Sequence, residues 1–119
     1  MVQTQNQKIY DLGERTKKFA MRVREYVKSA PKSIAGIEDV KQLVRSSGSV
    51  GANYIEAEES LSRKDFAMRI KICRKEAKES RYWLELIAVK TDQTDEKAAL
   101  IQEATELTKI FGAIVEKSK

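Results

Sequence analysis

The sequence contains no histidine and a single cysteine, Cys73. Without an imidazole there is no Ser–His or Cys–His nucleophile pair and no imidazole metal ligand. Di-iron carboxylate bundles, which rely on Glu-x-x-His pairs, are excluded for the same reason. One cysteine makes no internal disulfide, so nothing argues for secretion. A single proline, Pro31, and only five glycines in 119 residues argue against a β-rich or disordered chain. No apolar run approaches the roughly 20 residues needed to span a bilayer. The first stretch, "MVQTQNQKIYDLGERTKK", is polar and has no apolar signal-peptide core. The expectation is a cytoplasmic, non-enzymatic protein with no catalytic residues, no metal, no cofactor and no membrane partner.

Charge is what the chain has in quantity. Charged residues make up 34% of it, and the net charge is +5. An excess of that size permits binding to nucleic acid or an anionic surface without requiring it. The charges interleave with apolar residues at three- and four-residue spacing, the pattern of amphipathic helices. The length suits one domain, 1–119, with four helices at about 9–29, 34–60, 63–89 and 95–117.

The first helix places Leu12, Phe19, Val23, Tyr26 and Val27 on one side, and Ala30 before Pro31 ends it. The second carries a stripe of Ile37, Val40, Val44, Ser47, Gly51, Tyr54, Glu58 and Leu61. Ser62 is a good N-cap for the third, with Asp65 three positions on. Thr94 is expected to cap the fourth, whose core line is Leu100, Ala104, Leu107, Phe111 and Ile114; Asp95 and Glu96 occupy its first turn, where the helix dipole favours them. Short connections between four such helices predict an all-α, up-down-up-down antiparallel four-helix bundle.

The third helix, wound at about 100° per residue, presents three faces. Phe66, Ile70, Cys73, Ala77, Ser80 and Leu84 form the core face, and Cys73 there is a small buried hydrophobe with no base to activate it. Met68, Ile72, Trp83 and Leu86, with Glu79 beside them, form a second apolar face that suggests contact with another subunit. Arg63, Lys64, Lys71, Arg74, Lys75, Lys78 and Arg81 fall within an arc of about 120°. A stripe this weakly neutralised could track a phosphate backbone; it could equally be a solvated face.

The stretch "RSSGSVGANYIEAEES", Arg45 to Ser60, is rich in small residues. "GSVG" resembles the GXXG loop of KH domains, but no flanking strands are readable, and the Gly-Lys-Ser/Thr of a phosphate loop is missing. The apolar period passes through it unbroken, so it reads as helix. Glycine inside a helix costs up to about 1 kcal/mol against alanine, which close approach of another backbone would offset. Ser47 and Gly51 face the core in this reading, while Ser49, Ala52 and Asn53 face outward near Arg45 and Glu56. Arg45 and Glu56 are then candidates for a charge set at a packing contact, with Asn53 as a hydrogen-bonding register element.

The segment Gln42 to Ile87 resembles the bacterial four-helix bundle proteins first noted as products of intervening sequences inside large-subunit ribosomal RNA genes. The pattern is an Arg, small residues with serine, Asn-x-x-Glu, a helix start, an aromatic and a later Glu. It matches here at Arg45, Ser46, Ser47, Ser49, Asn53, Glu56, Ser62, Phe66 and Glu79. The glycine usual after Asn-x-x-Glu is Ala57 in this chain. The resemblance implies a homopentameric barrel with a central channel. It also implies kinship with accessory proteins of diversity-generating retroelements, which bind nucleic acid and serve a reverse transcriptase, and no enzymatic activity. The number of subunits and the reverse-transcriptase partner come from the resemblance alone.

Three functions stand open at this point. The first is a non-enzymatic oligomer that binds RNA or DNA through the basic arc. The second is a protein-interaction scaffold that uses the Trp83 face or exposed aromatics such as Tyr10 and Tyr82. The third is an enzyme using the carboxylates Glu56, Glu58, Glu59, Glu76 and Glu79, which is set aside because bundle metal sites usually add histidine.

Overall fold

A computed structural model describes residues 11–119. Four α-helices follow one another: α1 (Leu12–Tyr26), α2 (Ile34–Glu58), α3 (Arg63–Leu86) and α4 (Thr94–Lys117). Two 3₁₀ turns, Val27–Ser29 and Thr91–Gln93, precede α2 and α4, and there is no strand among the described residues. Tyr10, a candidate docking aromatic, and the expected first residues of the first helix lie outside that range.

Local chemistry sets the helix ends. Beyond α1 the chain passes through its 3₁₀ turn into Ala30, which is extended (φ −72°, ψ 153°), as a residue before proline must be. Ser33 caps α2 by accepting from the Gly36 N–H at 3.0 Å, and Ser62 caps α3 by accepting from the Asp65 N–H at 3.0 Å. Thr94 does not cap α4. It is the first helical residue (φ −61°, ψ −41°), because the 3₁₀ turn already delivers the chain in a helical conformation. An N-cap needs a non-helical residue. The α3 C-terminus is closed instead from α4: Lys97 Nζ donates to the Ile87 carbonyl at 2.9 Å, placing a cation and a donor where orphan carbonyls collect.

Cross-helix pairs fix the topology. Arg15 meets Glu103 and Arg22 meets Glu96, so α1 and α4 are antiparallel. Ser46 meets Ser80 and Asn53 meets Arg69, so α2 and α3 are antiparallel. Arg81 meets Thr105, and the Arg74 side chain passes over Gly112, so α3 and α4 are antiparallel. The result is an antiparallel four-helix bundle with extents of 44 × 33 × 19 Å. The most extensive packing joins α2 to α3 and α3 to α4; α1 lies along α2 and meets α4 along a thinner seam.

The core takes Leu12, Phe19, Val23 and Tyr26 from α1, Leu43, Val50 and Ala57 from α2, Ile70, Cys73, Ala77 and Leu84 from α3, and Leu100, Ala104, Leu107, Phe111 and Val115 from α4. Each large apolar side chain removed from water here contributes about 1.5–3 kcal/mol. In α3 the buried line coincides with the expected core face, apart from Phe66, which is half-buried, and Glu76, which is buried beside it. In α2 it does not. Burial follows Leu43, Ser47, Val50 and Ala57, with Tyr54 packed against them, whereas Ile37 and Glu58 are exposed and Leu61, beyond the helix end, is 99% exposed. A stripe counted from Ile37 has the right period and the wrong starting phase. Small residues on several sides of α2 leave hydrophobicity too weak a guide to correct it. In α4 the line ends on Val115; Ile114 is only half-buried.

No described residue has a positive φ, so the glycines of α2 serve space and not backbone freedom. A Cβ on Gly36 would collide with the Pro31 carbonyl oxygen, where the incoming loop folds over the first turn. One on Gly51 would lie 3.0 Å from Thr16 Oγ1 and 3.3 Å from Thr16 Cβ. Thr16 is itself held in place, its hydroxyl donating to the Leu12 carbonyl at 2.7 Å. Gly51 is therefore where α1 comes close to α2.

Candidate nucleic-acid interface

The seven cations expected to form one arc all lie on α3, and the structure divides them. Lys71, Arg74, Lys75 and Lys78 line one open groove of about 670 Å³ together with Glu79, Tyr82 and Trp83. Arg63 and Lys64 lie at the N-terminal end of α3; Lys64 lines a neighbouring recess with Lys71, Met68, Val115 and Lys119. Arg81 is committed elsewhere, donating through Nε to Glu85 at 3.3 Å and through a terminal nitrogen to Thr105 Oγ1 at 3.1 Å. None of the other six cations makes an ion pair among the described residues. Their charge is available to a ligand.

The acidic residues near the groove are already occupied. Glu79 Oε2 accepts from Arg45 at 3.2 Å, and Glu76 Oε1 lies 3.3 Å from the same guanidinium. Glu76 is 94% buried by exposure of 6%, and that oxygen is close enough for charge attraction without a well-aligned hydrogen bond. A buried carboxylate without its cation would be costly, so Arg45 fixes the outer edge where α2 meets α3. Glu85 is held by Arg81.

The candidate packing residues have mixed placements. Arg45 does not pair with Glu56 within the chain. Eleven residues of helix separate them by about 16 Å, and Arg45 turns to Glu76 and Glu79 instead. Glu56 is exposed, as is Ala52. Asn53 bridges two helices: its amide donates to the Ser49 carbonyl at 2.9 Å, and its oxygen accepts from Arg69 at 3.1 Å. Met68 (52%) and Leu86 (49%) stand out in solvent, Ile72 is half-exposed, and Trp83 packs partly on the core. The Trp83 indole N–H is buried with no hydrogen-bond partner among the described residues.

Several contacts escaped sequence reasoning. Buried Ser46 and Ser80 face each other at 2.9 Å across α2 and α3. Arg15 makes a double contact with Glu103, at 2.7 and 2.8 Å, and reaches Glu106 at 2.8 Å; Arg22 holds Glu96 at 3.3–3.4 Å. A signal for this ladder existed: the two arginines and the two glutamates are each seven residues apart. Burial of Glu76 left no such trace.

The core has little reactive chemistry on offer. Burial pushes the Cys73 thiol up to about 12, which keeps it protonated and unreactive. Burial, with Glu96 nearby, pushes the Tyr26 hydroxyl up to about 12. No group of three or more metal-ligating side chains occurs among the described residues. No helix in the described range is long and apolar enough to cross a membrane.

These features define an all-α bundle protein with a basic groove on its third helix. The chain belongs to the family of 23S rRNA-intervening sequence proteins, whose family model matches residues 8–113. Among solved structures it is similar to a protein of unknown function from the S23 ribosomal protein family of Bacteroides thetaiotaomicron VPI-5482. The two share 31% identity over 92% of this chain and 98% of that one, with a TM-score of 0.76. No functionally curated protein matches the sequence.

Proposed function

We propose that this protein is a non-enzymatic, oligomeric accessory factor that binds nucleic acid, RNA or DNA, through the basic face of α3. The observation that carries this reading is the column of Lys71, Arg74, Lys75 and Lys78 in one groove, without ion pairs among the described residues, while the nearby Glu79 and Glu85 are held by arginines. Phosphate contacts of this kind supply affinity with little sequence preference. A ring of copies, five if the family resemblance carries over, would multiply a weak single-site affinity. The exposed Met68 and Leu86 with half-exposed Ile72 form the face by which copies would meet. A reverse transcriptase is the protein partner that the resemblance suggests; the cytoplasmic compartment rests on the single cysteine and the lack of a long apolar run.

The test is filter binding across a salt series. Affinity should fall steeply as salt rises, and Lys75→Glu combined with Lys78→Glu should flatten the log–log slope by about 2 while leaving the solution mass unchanged. Binding that ignores salt, or none at low salt, would sink the reading. The exposed apolar face favours a second reading, a protein-interaction scaffold. Capture of one dominant protein that survives nuclease treatment and is lost with Met68→Lys would support that instead.

A further inference from the structure

Among the candidate features, the groove on α3 carries an inference about the form of nucleic acid it takes. Lys71, Lys75, Lys78 and Tyr82 follow one another at helical spacings of four, three and four, so they stand in one line along α3. Tyr82 closes that line as an exposed aromatic, 54% accessible. It is not a loose side chain: its ring stands edge-on to Trp83, with centroids 4.9 Å apart and an interplanar angle of 74°, a favoured aromatic geometry. Trp83 in turn packs against the core. A rigidly backed ring with an open face thus shares one groove with four cations.

The carboxylates around it are neutralised. Glu79 and Glu85 lie one helical turn to either side of Tyr82; the first is bound by Arg45 and the second by Arg81. A phosphate strand approaching the ring therefore meets positive charge first. A duplex has no use for such a ring, because its bases are stacked on one another and it would engage the lysines alone. An unpaired strand can place phosphates along Lys71–Lys78 and lay a base on Tyr82, the combination used for sequence-tolerant single-strand binding.

Resting on the proposed nucleic-acid reading, we infer that the α3 groove prefers single-stranded nucleic acid and that Tyr82 is the platform on which an unpaired base stacks. The probes are an oligo(dT) strand, an abasic strand of equal length and a blunt duplex, each titrated against the full chain and its variants at fixed low salt. Tyr82→Ala should weaken oligo(dT) binding about tenfold, the scale of one lost stack, and leave duplex and abasic binding unchanged. Tyr82→Phe, which keeps the ring, should restore oligo(dT) binding. Circular dichroism and solution mass of each variant would check that the fold and assembly persist. If Tyr82→Ala changes nothing, or weakens all three probes alike, the stacking inference is overturned; a loss on all three with Lys75→Glu would still leave the basic reading standing. If the wild-type chain binds none of the probes, nor the same set made as RNA, both readings fall together.

Discussion

The seam between α2 and α3 and the seam between α1 and α4 hold the same bundle by different means. The first combines the more extensive packing with a buried hydroxyl pair, Ser46–Ser80, and a few polar contacts: Arg45 reaches Glu76 and Glu79 at the outer edge, and Arg69 donates to Asn53. The second adds to its apolar contacts a ladder of half-buried charges, Arg15–Glu103 and Arg22–Glu96. The small residues of α2 serve two neighbours, Ser46 facing α3 and Gly51 facing α1, whereas α1 and α4 meet through long charged side chains. The comparison implies that the α2–α3 seam, with the more extensive packing, carries more of the stability and responds to salt only through the Arg45 pairs at its edge, while the α1–α4 seam depends more on ionic strength.

The most severe test of that contrast is Leu43→Ala, one turn before Ser46 and fully buried. Removing its side chain should cost about 2–5 kcal/mol, read as a lower urea midpoint with an unchanged slope. Next is Gly51→Leu, where α1 meets α2. The added side chain has to displace a pinned Thr16, so a loss of about 1–3 kcal/mol is expected despite leucine's better helix propensity. Stabilisation by that substitution would show that α1 can shift away freely. The smallest effect belongs to the charged seam. Arg15→Ala should cost about 1–2 kcal/mol at low salt, and the penalty should shrink as salt is added. A penalty equal to that of Leu43→Ala would erase the distinction between the seams.

Legibility in the sequence tracks how much one helix can report about itself. The core face of α3 was readable because Ile70, Cys73, Ala77 and Leu84 alternate with charges whose position leaves one choice of phase. The Ser62 cap was readable because it is a contact between residues three apart. In α2, runs such as "SSGSVGA" weaken the hydrophobic contrast, so the period survived and the phase slipped, putting Ile37, Glu58 and Leu61 on a core line they do not share. Thr94 misled because cap identity depends on how the chain arrives, and a 3₁₀ turn delivers it already helical. The cations of the candidate groove were visible by spacing. Which of them keep free charge was legible only in part: Arg81 has Glu85 four positions on in the same helix, whereas the arginine that occupies the neighbouring Glu76 and Glu79 comes from α2.

Composition and period alone were enough to determine four amphipathic helices, their antiparallel hairpins and a third helix with one apolar and one basic side. These follow from the 3.6-residue repeat and from short connections, both properties of the chain taken locally. Tertiary structure alone decided that Arg45 turns to Glu76 and Glu79, that Arg81 reaches Thr105 on α4, and that Trp83, packed on the core, braces Tyr82 beside lysines that make no ion pair among the described residues. The physical reason is that charge compensation and side-chain bracing are set by whatever lies across a gap of a few ångströms. Arg45 and Glu79 lie 34 positions apart and Arg81 and Thr105 lie 24 apart, and no periodicity within a single helix encodes such meetings.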